Sequence, residues 1–361
     1  MFQSLSLVPL LGLFLLAAGA IWVAGVKLSD TTDILSARFG FGEALGGVIL
    51  LAIATNLPEI AITASAAWSG DVGVAVGNIL GGIAIQTVVL VALDAFGMRG
   101  KAPLTYQAAS LTLVIEGLLV VAVLIIAIMG TQLPASLIVA RVAPDALLIT
   151  ILWMVGVWLI GRANKGLPWH DHAGDAPDTQ AKPKGHSKRA KEQGSIKGGA
   201  STTRTALVFL AGAVVTLVAG VVLERAGDGI AGHIGMSGVL FGATVLAAAT
   251  SLPELSTGLT STKMGDYQLA ISDIFGGNAF LPVLFLLATV ISGKAVLPQA
   301  QDTDIYLAGL AVLLTSVYLA GLIFRPKRRV LGMGIDSLTV LILYALGTTG
   351  LFAIALLKAG R

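Results

Sequence analysis

Run after run of apolar residues in this chain approaches or exceeds the ~20 residues that a helix needs to cross a ~30 Å hydrocarbon layer. Only 12% of the residues are charged, against 56% hydrophobic, whereas about a quarter of a soluble domain is charged. A water-soluble core is therefore excluded. A transmembrane barrel would require alternating apolar and polar positions, but these runs are continuous, so helices remain as the spanning structure that satisfies its own backbone in lipid.

Reading the runs between charge and turn signals predicts an all-α membrane protein of ten transmembrane helices. The spans lie near 7–27, 36–68, 72–94, 105–129, 143–161, 205–223, 231–262, 268–290, 303–323 and 335–357. Two five-helix units, 1–161 and 205–361, flank a polar linker at 162–204 that holds nine Lys or Arg against four Asp or Glu. Basic residues gather on the cytoplasmic side of membrane proteins. With the linker and every second loop inside, 18 of the 23 Lys and Arg residues are cytoplasmic and both termini face out. The net charge of +3 sits in loops beside the spans, which fits topology and the lipid bilayer as partner, not nucleic acid. There is no cysteine, so thiolate metal sites are excluded.

The two units repeat each other. Ala-Thr-Asn-Leu-Pro-Glu at 54–59 recurs as Ala-Thr-Ser-Leu-Pro-Glu at 249–254, and Gly77-Asn78-Ile79-Leu80-Gly81-Gly82 faces Ser272-Asp273-Ile274-Phe275-Gly276-Gly277 at the same offset of 195. Five spans separate the copies. An odd number reverses direction, so the second copy runs through the membrane inverted, as in many secondary transporters.

Each hexapeptide sets a proline inside a long apolar segment, where the missing N–H and the ring break the helix. Helices 2 and 7 are therefore expected to be broken, and the freed backbone groups need partners. Beside the breaks stand Thr55, Asn56 and Glu59, then Thr250, Ser251 and Glu254. These are hard oxygen ligands. A mid-membrane carboxylate costs at least ~2.5 kcal/mol and marks function by default. Calcium takes six to eight oxygens in flexible geometry, and the same carboxylates can bind sodium or protons. Competition of ions for one charge-balanced site gives antiport a simple basis. Asn56 and Ser251 suit either ligation or capping of the following half-helix. Asn78 and Asp273 suit either an ion pathway or a helix start, and Gln86 shares a face with Asn78 and Gly82 at helical spacing. Glu116, inside the fourth span, suits a proton carrier or a bond to a neighbouring helix.

These motifs resemble the alpha-repeats of the cation/calcium exchanger superfamily, whose sodium/calcium exchangers pair a Thr-Ser-Leu-Pro-Glu type motif with a Gly-Asn…Gly-Ser-Asn type motif. The likeness covers about 42–92 and 237–287. It implies that Glu59 and Glu254 are calcium ligands, that Thr55 and Thr250 assist, and that the carbonyls of Ala52 and Ala247 are available to sodium. The chain departs from the pattern at several points. Gly82 and Gly277 replace coordinating serines, Gln86 and Leu281 stand four residues further on, Asn56 replaces a serine, and Asp273 replaces an asparagine. Asn278 is kept in the second repeat, where the first has Ile83.

The expected function is secondary exchange of calcium or a similar cation for sodium or protons by alternating access, with inorganic cations as partners and no cofactor. The alternatives are a monovalent cation/proton exchanger on the same fold and a passive cation channel. A membrane metalloprotease is not supported, since there is no His-Glu-x-x-His motif. The compact chain fits a prokaryotic plasma membrane. Oligomeric state has no sequence signal here.

Overall fold

The computed structural model describes residues 5–39, 53–163, 201–236 and 238–359. In chain order the main helices are α1 (Leu7–Phe39), α2 (Leu57–Ser69), α3 (Val72–Ala92), α4 (Leu111–Gly130), α5 (Pro144–Ala163), α6 (Thr202–Ile234), α7 (Leu252–Met264), α8 (Tyr267–Phe280), α9 (Leu284–Ser292), α10 (Asp302–Phe324) and α11 (Ile335–Ala359). Eight helical stretches among the described residues are long and apolar enough to cross a bilayer. Outward-facing Leu118, Met129, Trp158, Leu207 and Leu346 give these helices an apolar exterior, which belongs against lipid. This is an all-helical membrane protein. Its one regular strand pair among the described residues is a hairpin of two residues a side, Arg329–Val330 with Met333–Gly334.

The expected span 105–129 is split at 109–110 into a short helix Leu104–Ala108 and α4, and 268–290 is interrupted by the 3-10 turn Leu281–Val283 between α8 and α9. The remaining two expected spans, 36–68 and 231–262, are not single helices either. Residues 40–52 of the first lie outside the described set; from there 53–55 are helical, Asn56 is a turn residue, and α2 begins at Leu57. The second is a string of pieces: Gly238–Phe241, a π-helical turn Gly242–Leu246, then Ala247–Thr250, a break at Ser251, and α7. Pro58 and Pro253 explain both breaks. Each occupies the first turn of the new helix, where its missing N–H would have no helical partner anyway.

Turn chemistry repeats with the same offset. α2 and α7 end at Gly70 and Gly265, each with φ of +81°, a left-handed conformation that glycine adopts without a Cβ penalty. The N–H of Asp71 then reaches the carbonyl of Ala66, and that of Asp266 the carbonyl of Ser261, both at 2.9 Å. These reversals send the chain directly into α3 and α8, which open the two most enclosed spans, Val72–Gly97 and Tyr267–Ser292. Their apolar windows are 72% and 67% buried, against 33% for α1 and 22% for α6.

α1 and α6 overrun the expected spans 7–27 and 205–223, each reaching 33 residues. At ~1.5 Å per residue that is about 50 Å, so each must tilt or project beyond the hydrocarbon. Charge at Lys27 or Glu224 reads locally as a loop, but packing carries the helices on. A Cβ built on Gly212 would lie 3.2 Å from Leu28, and one on Gly229 would lie 2.9 Å from Leu10. Leu28 thus meets the start of α6 and Leu10 its end, so the pair runs antiparallel. Glu224 is held rather than solvated: Ser65 Oγ donates to its Oε2 at 3.2 Å, and Arg225 Nε lies 3.2 Å from the same oxygen.

Loops of both halves are tied at one end. Asp94 accepts from the N–H of Leu104 at 2.9 Å and from that of Gly334 at 2.6 Å. The Arg329 guanidinium donates to the carbonyls of Met98, Lys101, Asp94 and Gly332. Leu331 and Gly332 both have positive φ, the turn geometry that matches strand twist in a tight hairpin.

Candidate cation site

Because the prolines restart their helices, Glu59 and Glu254 fall in the first turn of α2 and α7. The positive end of a helix dipole favours a carboxylate there. Both side chains are wholly buried, and none of their four carboxyl oxygens has a hydrogen-bond partner. Glu59 and Asp273 both lie within electrostatic reach of Glu254, so the two glutamates share one neighbourhood. Thr250 interacts with Glu59 across the halves, yet its hydroxyl proton goes to the carbonyl of Ala247 at 3.1 Å. Among the described residues the only buried basic side chain is Arg325. It donates to the carbonyl of Tyr106 at 2.9 Å and lies over that ring.

The other expected residues fall around this pair. Asn56 and Ser251 do not cap α2 and α7 through their side chains. The Gln86 amide instead donates to Asn56 Oδ1 at 3.5 Å, and Ser251 Oγ donates to the carbonyl of Ala247 at 2.8 Å. That carbonyl also accepts the N–H of Ser251 at 3.1 Å, so it can serve a cation only if the hydroxyls turn away. Ala52 lies outside the described residues. Thr55 is buried at the first break. Asn278 donates to Thr87 Oγ1 at 3.1 Å, again across the halves. Asn78 is fully buried with neither amide atom partnered, while Thr257 Oγ1 donates to Asp273 Oδ2 at 2.7 Å. Glu116 is buried and interacts with Ser272 on α8.

The sequence profile of the sodium/calcium exchanger protein family matches residues 9–161 and 204–357. The chain belongs to that family. Among curated relatives of this exchanger-family protein, the putative antiporter CaxA of Alkalimonas amylolytica is 27% identical over 317 residues, 87% of this chain and 90% of that one. The inner membrane protein YrbG of Escherichia coli is 25% identical over 280 residues, 77% and 78% of the two chains. The fold is shared with solved exchangers. An H+/Ca2+ exchanger, CAX, matches with a TM-score of 0.66 and 15% identity over 95% of this chain and 82% of that one. The sodium-calcium exchanger NCX_Mj matches at 0.60 and 17% over 95% and 99%.

Within the exchanger fold, the two glycines that depart from the family motif meet different neighbours. A Cβ on Gly277 would lie 2.9 Å from the Asn56 amide nitrogen and 3.5 Å from Gln86 Oε1, whereas one on Gly82 would lie 3.6 Å from Leu281. One flank of the site is thus amide-lined and the other apolar. Thr63, Thr87 and Thr257, all buried, lie outside the set of residues expected at the site. Thr63 and Thr257 stand four and three residues after the glutamates, spacings that share a helix face. Thr87 carries no such signal, because its partner is 191 residues away.

Proposed function

We propose that this exchanger-family protein is a secondary active antiporter that moves calcium, or a similar divalent cation, against sodium or protons by alternating access. Glu59 and Glu254 are its central ligands, with Thr55, Thr250, Asn56 and Ser251 around them. The observation that carries the reading is the set of four wholly buried carboxyl oxygens without hydrogen-bond partners or an ion pair among the described residues. Two such charges in a low-dielectric interior need positive compensation. One divalent cation, or two monovalent ones, supplies it, and hard oxygen donors suit calcium. An emptied pair of charges crosses the interior only at high cost. The central pair therefore changes face filled or protonated, and that couples the two ions.

The supporting architecture is ten spans in two inverted halves, 1–161 and 205–361, with the linker 162–204 cytoplasmic and both termini outside. Antiparallel packing of α1 and α6 fits the inversion. This pair is also the natural moving element. Gly25 of α1 meets Pro253, and Gly220 of α6 meets the Pro58 carbonyl, so each long helix crosses the break of the other half on a small residue that permits close approach. The bacterial relatives favour the plasma membrane of a prokaryote.

Leu281, at the position corresponding to Gln86, favours a smaller ion complement than a site with polar groups on both flanks, which keeps a monovalent cation/proton exchanger as the second reading. Calcium uptake into proteoliposomes, driven first by an imposed sodium gradient and then by a proton gradient, separates these readings. The expected result is uptake that requires the counter-ion on the opposite side. Uptake that follows the calcium gradient alone would make the protein a channel, and exchange of monovalent ions without calcium would support the second reading.

A further inference from the structure

We propose that the groove between α2 and α6 holds one phospholipid whose headgroup carries a primary ammonium, with its acyl chain along Ala61, Ala64, Leu217 and Val221, its phosphate on Arg225 and its ammonium beside Asp71 and Asp228. Binding needs only the membrane-embedded fold, whatever the transported ion.

α2 and α6 rise side by side. A Cβ on Gly220 would lie 3.0 Å from Ala61 Cβ, and further along Ser65 donates to Glu224 while Ser69 accepts from Arg225. The contacts advance in the same order on both helices, so the two run parallel. Ala61, Ala64 and Trp68 share one face of α2 at spacings of three and four, and Leu217, Val221 and Arg225 share one face of α6 at spacings of four. Alanine leaves the α2 wall shallow, and the two stripes border an open, apolar groove of about 360 Å³. From Ala61 to Trp68 it runs for about 10 Å. In hydrocarbon such a groove is filled by a lipid chain through van der Waals contact. Choice among lipids then lies with the headgroup.

The polar end is built for one. Trp68 is 86% exposed, and α2 closes two residues later at Gly70, so the indole sits where aromatic side chains meet headgroups. The Glu224 side chain, 5% exposed, lies 3.2 Å from Arg225 Nε, and Arg225 Nη2 donates to Ser65 Oγ at 3.4 Å and to Ser69 Oγ. These bonds fix the guanidinium plane. They leave Nη1 without a bond among the described residues, on a side chain 40% exposed, as a held donor for a phosphate oxygen.

Charge selects the rest. Asp228 stands three residues after Arg225 on α6, and Asp71 stands two after Ser69 at the turn; both lie within electrostatic reach of Glu224. Three acidic groups thus surround one arginine. An anionic headgroup is repelled overall, whereas a zwitterion sets its phosphate on Arg225 and its cation among the aspartates. A primary ammonium has three N–H donors for carboxylates, as lysine does; a quaternary one has none. The other half does not repeat the site. At the offset of 195, Leu217 becomes Trp22, Arg225 becomes Asp30 and Trp68 becomes Lys263, which puts a bulky ring at the groove wall and reverses the charges.

Native mass spectrometry of the detergent-solubilised protein tests this, after incubation with an equimolar mixture of phosphatidylethanolamine, phosphatidylcholine and phosphatidylglycerol of identical chains. One retained phosphatidylethanolamine is expected, favoured over each of the others by about tenfold, the effect of a single charge-assisted hydrogen bond. Asp71→Asn combined with Asp228→Asn is expected to abolish the preference over phosphatidylcholine while lipid is still retained. Leu217→Trp, which copies the other half and changes no charge, is expected to lose the preferred lipid. Equal retention of the three lipids by the unmodified protein, a preference for phosphatidylglycerol, or a preference that survives either variant would overturn the site. So would a dimer that forms in place of the lipid complex.

Discussion

Glu59→Gln and Glu254→Gln are each expected to lower calcium exchange by about 100-fold or more, a loss of ~2.7 kcal/mol or more from the rate-limiting complex. The amide keeps the shape and removes one of the two negative charges that balance a divalent ion, so the loaded site is left with net positive charge in a dry interior. Each single change already breaks the balance, and the double variant is expected to be little worse, as for groups that act as one unit. Stability should move the other way. Both side chains are wholly buried without hydrogen-bond partners, and replacing such a charge with a neutral isostere removes a desolvation cost. Thermal unfolding of the detergent-solubilised variants should therefore begin at the same temperature as the unmodified protein or higher. Loss of exchange together with loss of fold would point to a structural role instead.

The second large effect is expected where the long helices cross the breaks. A Cβ built on Gly25 lies 2.7 Å from Pro253 Cβ, and one built on Gly220 lies 3.1 Å from the Pro58 carbonyl oxygen and 3.0 Å from Ala61 Cβ. Gly25→Leu and Gly220→Leu would force α1 or α6 away from the central helices or jam it against them. Overpacking of this kind costs about 1–3 kcal/mol, enough to cut turnover roughly tenfold or more if the clash is worst at the crossing point. Equilibrium calcium binding should survive, since neither glycine supplies a ligand. The measurement is calcium affinity beside exchange rate in the same preparation; a rate as fast as that of the unmodified protein would show that these helices do not move past the prolines.

Much of this was legible in the residues because its causes are local. Proline cannot continue a helix, so the breaks at Asn56 and Ser251 follow from Pro58 and Pro253, and the offset of 195 carries from the motifs through Gly70 and Gly265 to Gly25 and Gly220. What stayed hidden is set by tertiary contact. The charged stretches after Lys27 and around Glu224 read as loops in isolation, yet the α1–α6 packing and the Ser65 and Arg225 contacts to Glu224 keep them helical. Asn56 appeared as a cap or a ligand; its contact with Gln86 and Gly277 depends on bringing α3 and α8 together. The Arg329 anchor is hidden for the same reason, since its carbonyl partners include Met98 and Lys101, more than 200 residues earlier.

Whether Glu59 and Glu254 hold the transported cation together is tested by anomalous diffraction from crystals soaked with strontium in place of calcium. One dominant peak is expected in contact with carboxyl oxygens from both Glu59 and Glu254, slightly beyond the ~2.3–2.6 Å typical of calcium because strontium is the larger ion, and absent from Glu59→Gln crystals. A strong peak elsewhere in the protein, with the two glutamates uninvolved, would contradict that shared role.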